Sequence, residues 1–260
     1  MDLNIYTSEM AKSVWDKSFF MDKVPGTKCV IDFGCADGAM IHFLAPLFPD
    51  ITFIGYDINK ELIDKARSTT PYHSNVSFMN HPDHIVNFVR DIKKFESDEI
   101  CLNFSSVLHE VFSSTANENS SIPALLQKLS PKYVTVRDMF FEGEDKSLSY
   151  CQLRAIVRQF KIDEKHIADF EVEFGNITST KNLVHFLMKY QWKDNGWYDE
   201  LDENYFAWTM SDLKEMLMYY YDVIFETHYM LPYYINKWEP VGLTPKEIHT
   251  HIQLILRRRT

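Results

Sequence analysis

The sequence predicts an α/β chain built on a doubly wound, mostly parallel sheet. Three observations predict it. Short apolar runs alternate with amphipathic ones between residues 28 and 138. The first apolar run ends in an acid, Asp32, and two glycines four apart, Gly34 and Gly38. The second ends in another acid, Asp57, about nineteen residues after Gly38. Alternating strands and helices build parallel sheets with right-handed crossovers. Ligands of such sheets lie outside the strand C-termini, where these motif residues fall.

The elements follow in order. Residues 8–24 read as an amphipathic helix, with Met10, Val14 and Phe19 at helical spacing, placed to cover a cleft at the strand ends. Pro25-Gly26 ends it. The pattern then gives strand 28–33, helix 38–48, strand 51–56, helix 59–68, strand 75–79, helix 82–95, strand 98–104, helix 122–129 and strand 132–138. The polar stretch Ser113–Ser121 has no periodicity and reads as a surface loop, with a lid over the site as the alternative.

After residue 140 the rhythm breaks. Helical patterns at 148–160 and 182–189, with turn signals at Asp194-Asn195-Gly196, predict a helical insertion after the fifth strand. Residues 221–229 and 251–256 read as a closing pair of strands. The connection between them is too short for a large crossover helix and fits an antiparallel excursion. The expected organisation is therefore an N-terminal helix over 1–24, a core over 25–140 and 206–260, and a cap over 141–205. Four of the five tryptophans fall between residues 192 and 238, among many tyrosines. Most of these rings are expected to pack the insertion on the sheet. Tyr190, Trp192 and Tyr205 are the candidates for a substrate pocket, and an aromatic wall favours a flat or cationic acceptor.

Composition sets limits. The chain has 260 residues, of which 45% are hydrophobic, enough for a substantial core. No run of 18 apolar residues exists, so no transmembrane helix is expected. The first residues carry no basic stretch followed by an apolar one, so no secretory signal is expected. The four cysteines are scattered with no C-x-x-C pair, which predicts free thiols in a reducing cytoplasm and no zinc or other metal site. The formal net charge of -10 argues against non-specific nucleic-acid binding, which needs clustered Lys and Arg. The basic run Arg257–Arg259 reads as a solvated tail.

The turn after the first strand narrows the ligand. Gly34-Cys35-Ala36-Asp37-Gly38 does not keep the G-x-G-x-x-G register of a dinucleotide site. Asp32 and Asp37 would repel a pyrophosphate. They suit a ligand with a cationic amino group and no phosphate. An acid at Asp57 can accept hydrogen bonds from both hydroxyls of a ribose. Here the sequence resembles the class I S-adenosylmethionine-dependent methyltransferases. Asp32, Gly34 and Gly38 match their first motif, Ala36 replaces its middle glycine, and Asp57 matches their ribose-binding acid. The resemblance covers roughly residues 25–140.

The resemblance implies a Rossmann-like fold of the class I methyltransferase type, with S-adenosyl-L-methionine as donor and S-adenosyl-L-homocysteine as product. It implies a cofactor site made by Asp32, Gly34, Cys35, Ala36 and Gly38, with Asp57 and Ile58 after the second strand. Asn80 or His81 stands where the family contacts adenine, although the usual acid is missing there. Asn103 and Ser105, at the fourth strand, would meet the substrate or the amino-acid end of the cofactor. His109 and Glu110 follow as candidate catalytic groups, because a near-neutral histidine can take a proton from a hydroxyl or amine. Being adjacent in a helix, they are expected to point to different faces. Arg137-Asp138 closes the fifth strand, as a salt bridge holding the insertion or, for Asp138, a substrate contact.

The expected activity is methyl transfer to oxygen or nitrogen of a small molecule. The alternatives are an RNA or protein acceptor, or a non-catalytic module of the same fold that regulates a partner. No membrane partner is expected, and the sequence leaves the oligomeric state open.

Overall fold

The computed structural model describes residues 13–70, 75–113, 121–217 and 219–260. The described elements begin with a short helix α1 (Val14–Lys17) and run β1 (Cys29–Phe33), α2 (Ala39–Leu44), β2 (Thr52–Tyr56), α3 (Lys60–Thr69), β3 (Val76–Met79), α4 (Pro82–Asn87), β4 (Ile100–Ser105), α5 (Leu108–Ser113), α6 (Ser121–Leu129) and β5 (Tyr133–Gly143). There follow α7 (Tyr150–Phe160), α8 (Glu164–Phe174), α9 (Thr180–Tyr190), α10 (Trp197–Leu201), α11 (Met210–Leu217), β6 (Tyr221–Tyr229), α12 (Pro232–Trp238) and β7 (Ile248–Arg258).

The strands form one seven-stranded sheet of order β3-β2-β1-β4-β5-β7-β6. β1 pairs in parallel with β2 and β4, β2 with β3, and β4 with β5. The N–H of Arg258, at the end of β7, donates to Lys132 O just before β5, and that of Arg259 to Tyr220 O just before β6. The end of β7 thus lies beside the starts of both neighbours, so β7 runs antiparallel to them. This is the doubly wound, mostly parallel sheet the pattern predicts, with a helical, aromatic-rich segment after the fifth strand. The chain order reverses between β1 and β4, and that switch point is where such sheets bind ligands.

Every residue of β1 is buried, as parallel strands covered on both faces require. One face changes character along its length. Val30, Cys101 and Tyr133 are register partners across β1, β4 and β5 and belong to an apolar cluster with Phe20, Val24, Ile41 and Ile255. Two residues further, the same face carries Asp32, Asn103 and Thr135. Polarity therefore rises toward the strand C-termini.

The chain divides into two compact units. Residues 139–207 and 227–252 form one, and the remaining described residues form the other. The first unit has its own core, in which Phe170, Phe186, Tyr190, Tyr205, Tyr234 and Trp238 meet. Residues 227–252 thus cluster with the helical segment and not with the pattern-derived core over 206–260. The reason is α12, whose Tyr234 and Trp238 stack at 4.3 Å and are buried in that aromatic cluster. The N-terminal helix is also shorter than its apolar spacing suggests. After Lys17 the chain proceeds by successive turns to Gly26, which lets Phe20 and Val24 both reach the core. Residues 8–12 of that expected helix, and most of the polar stretch Ser113–Ser121, lie outside the described residues. The helix expected over 38–48 stops at Leu44, close to Pro46, which has no N–H to continue it. The helix expected over 82–95 keeps its α form only to Asn87 and widens to a π turn over Phe88–Ile92. No described helix is long and apolar enough to cross a membrane.

Candidate active site

The turn after β1 is held from within. The N–H groups of Gly34 and Cys35 both donate to Tyr56 O, and that of Ala36 donates to Asp57 Oδ2 at 2.8 Å. Asp57 Oδ1 accepts from Asn59 N at 2.8 Å. The carboxylate at the end of β2 therefore ties its own loop to the glycine turn. Burial raises its pKa, and the two backbone hydrogen bonds oppose that. Each oxygen keeps a lone pair for a further donor.

The two glycines are explained by backbone and neighbours together. Both stand at positive φ, +79° for Gly34 and +77° for Gly38. A Cβ on Gly34 would come within 2.5 Å of Val107 Cγ2, and one on Gly38 within 2.5 Å of Phe78 Cζ. The close approach they permit is made by the protein's own side chains. Ala36, in place of the expected middle glycine, also has a positive φ of +48°. Asp37 pairs with Lys65 at 3.2 Å.

Deeper in the same face lies a polar chain. Thr135 Oγ1 donates to Asn103 Oδ1 at 2.7 Å, and Asn103 Nδ2 donates to Asp32 Oδ1 at 2.8 Å. All three residues are buried. Burial pushes the Asp32 carboxyl up to about 6; the Asn103 hydrogen bond and the charge of Lys17 pull it down, and Asp57 pushes it further up. Lys17 is pushed the other way, to about 8, first by burial and then by Arg137, against the pull of Asp32, Asp138 and Glu110. Sequence reasoning missed Lys17. Its signal was its place at the C-terminal end of α1, the helix described before β1.

Arg137 holds that helix. Its Nε donates to Asp16 Oδ2 at 2.6 Å and its Nη1 to Ser106 Oγ at 2.6 Å. Gln253 Nε2 donates to the same Asp16 carboxylate, at 2.9 Å from Oδ1. The expected salt bridge is present, but it fastens α1 to β5 and β7 and not the insertion.

Asp138 stands beside it with a different task. Its Oδ2 accepts the N–H groups of Leu108 at 2.7 Å and His109 at 3.1 Å, capping α5 from another element. Its Oδ1 lies 2.7 Å from His109 Nδ1. The dyad is buried, with His109 2% and Asp138 0% exposed. A carboxylate on Nδ1 fixes that nitrogen as the proton carrier and leaves Nε2 as the basic atom. Glu110 does not turn away as expected: its Oε1 lies 4.0 Å from His109 Nε2, with the side chain 44% exposed.

The other expected residues are placed as follows. Ile58 is 64% exposed. His81 caps α4, accepting the Asp83 N–H on Nδ1 at 3.3 Å, and Asn80 immediately precedes it. Tyr190, Trp192 and Tyr205 are buried in the other unit. The Tyr190 hydroxyl donates to Lys161 O at 3.1 Å, and the Tyr205 hydroxyl bonds Glu200. Both hydroxyls are thus engaged within that unit.

One atom at the strand ends has no partner. The Ser105 hydroxyl is buried and makes no hydrogen bond among the described residues. Leaving such a group unsatisfied costs roughly 1–3 kcal/mol. Ser105 is level with Arg137 across β4 and β5 and shares the face of Asn103. An orphan hydroxyl at this point fits a polar ligand seated over the C-termini of β1 and β4.

No protein-family model matches the chain, and no curated protein matches it. Solved structures do. The methyltransferase domain of bacterial CtHen1 aligns with a TM-score of 0.50 at 14% identity, covering 100% of both chains. The S-adenosylmethionine-dependent methyltransferase from Mesorhizobium loti aligns with a TM-score of 0.50 at 13% identity, over 95% of this chain and 98% of its own. The chain has the class I methyltransferase fold. The PH0226 protein of Pyrococcus horikoshii is similar to the same extent, with a TM-score of 0.50 at 14% identity, over 100% of this chain and 94% of its own. The turn of Asp32–Gly38, the loop of Asp57 and the end of β4 all lie at the C-terminal ends of neighbouring parallel strands.

Proposed function

We infer that the protein is an S-adenosylmethionine-dependent methyltransferase acting on oxygen or nitrogen of a small molecule. The observation that carries this reading is the His109–Asp138 dyad, at the end of β4, on the same strand ends as the Asp32 and Asp57 carboxylates.

The residues fit the donor. Asp57 has lone pairs left for ribose hydroxyls. The buried Ser105 hydroxyl lacks a partner, and Asp32 with Asn103 offers an acidic, hydrogen-bonded floor for an ammonium group. Bound there, S-adenosylmethionine supplies a methyl group already activated on a sulfonium. The protein then has to align the acceptor and exclude water. His109 accepts the acceptor's proton on Nε2, while Asp138 keeps Nδ1 protonated and steadies the positive ring. Glu110, at the rim, stabilises that charge or passes the proton to solvent.

A small acceptor is supported by the net charge of -10, which opposes a polyanion. The cysteines Cys29, Cys35, Cys101 and Cys151 are free thiols, which suits work in a reducing cytoplasm. Calorimetric titration with S-adenosylhomocysteine, with NAD as control, tests the donor site. Micromolar binding of the first alone is expected. Absence of binding by either would remove the enzymatic reading and favour a non-catalytic module.

A further inference from the structure

The helical unit contains a cavity of about 280 Å³ between the end of α9 and α12. Its floor is Leu187, Tyr190, Tyr234 and Trp238, all buried. Its rim carries two lysines. Lys193 Nζ stands 5.0 Å from the Tyr190 ring centroid, and Lys237 Nζ stands 3.9 Å from that of Tyr233. Gln191 adds an amide, whose Nε2 donates to Tyr234 OH at 3.3 Å. No carboxylate among the described residues lines the cavity, and the exposed Asp163 stands within electrostatic reach of Lys193.

Two properties of this arrangement select a ligand. The first is charge. In a chain of net charge -10, a cavity lined by two ammonium groups and no acid is a local positive site. It repels the cationic acceptor that the abundance of aromatics suggested, and it attracts an anion. The second is shape. The Tyr234 and Trp238 rings stack face to face, with centroids 4.3 Å apart and planes within 12° of parallel, and make the floor aromatic. An apolar cavity of roughly 150 Å³ is enough for one benzene ring, so this cavity accommodates two fused rings. We propose that this pocket binds a planar aromatic carboxylate, with the ring system against the aromatic floor and the carboxylate between Lys193 and Lys237.

The inference concerns residues of the helical unit alone, so it does not depend on the donor site. The probe is 2-naphthoate, titrated calorimetrically against its neutral counterpart 2-naphthamide. In the wild-type protein the acid is expected to bind at least about tenfold more tightly than the amide, the scale of one hydrogen bond to a charged group. In the double variant Lys193→Ala/Lys237→Ala that preference is expected to vanish. Lys237 is exposed and Lys193 half-buried, so the fold should survive, which a circular dichroism melt checks. Saturating S-adenosylhomocysteine should leave naphthoate binding unchanged. Equal binding of acid and amide, a preference kept by the double variant, displacement by S-adenosylhomocysteine, or no binding at millimolar concentration would each overturn the proposal.

Discussion

One carboxylate, Asp138, both caps α5 and orients His109. Its Oδ2 accepts the backbone N–H groups that open the helix, and its Oδ1 lies 2.7 Å from His109 Nδ1. The residue that positions the imidazole therefore also fixes the backbone carrying it.

The base role predicts a separation of effects. His109→Ala should lower kcat roughly 100-fold or more, within the range for loss of general-base catalysis. Affinity for S-adenosylhomocysteine should stay within about twofold, since a general base acts on the acceptor and not on the donor (a loss of roughly 0.4 kcal/mol at most). Asp138→Asn keeps an oxygen for the two N–H groups but removes the charge, and should lower kcat by about tenfold. Preserved turnover with a lowered melting temperature would assign His109 to packing.

Asp57 should divide its energy between loop and ligand. Asp57→Ala removes the acceptor of the Ala36 and Asn59 N–H groups and, on the proposed function, the partner of the ribose hydroxyls. Donor-product affinity should fall by about 1–3 kcal/mol in a calorimetric titration. Unchanged affinity would remove the ribose role and leave only the loop tie.

The strands of the sheet were legible because buried parallel strands write themselves as short apolar runs between turn residues. The sequence limits of β6 agree with the structure end for end, over Tyr221–Tyr229. Helices were less legible where tertiary contacts decide them. α5 is capped by Asp138, thirty residues away from Leu108, so no local signal marks its start. α12 carries Pro232 and two tyrosines in its first turn and is stabilised by burial of Tyr234 and Trp238 in the aromatic cluster. In the site, Asp32 and Asp57 were visible from spacing, but the partnership of His109 with Asp138 spans two elements and could not be read from either. Tyr190 and Tyr205 show the same. Their hydroxyls bond Lys161 O and Glu200, partners that no local pattern in the sequence marks.

Ala36 should tolerate the glycine its neighbours suggest. Its φ of +48° costs an L-residue roughly 1–2 kcal/mol, which glycine does not incur. Glycine's larger unfolded-state entropy takes back roughly 0.5–1 kcal/mol. Ala36→Gly should therefore stabilise the protein by about 0.5–1 kcal/mol in urea denaturation, with donor affinity unchanged. A destabilised variant would mean that the Ala36 methyl makes a contact that outweighs its backbone strain.

Lys189 gives the helical unit a pH signature. The side chain is fully buried, its ammonium donating to Glu200 O and Glu203 O and lying 3.8 Å from the Tyr205 ring centroid. Burial pushes its pKa down to about 8, against the raising effect of Glu200, Glu203 and Asp202. The folded protein thus releases this proton before the unfolded chain does, which keeps it up to about 10.5. Between these values the unfolded state binds more protons, so this lysine's contribution makes stability rise with pH through that window. Below pH 8 both states are protonated and the cost of burying the charge is present in full. Lys189→Met, similar in length and uncharged, should flatten the rise when urea midpoints are compared at pH 8 and pH 10. An unaltered pH slope in the variant would show that the ammonium is solvated well enough to keep its ordinary pKa.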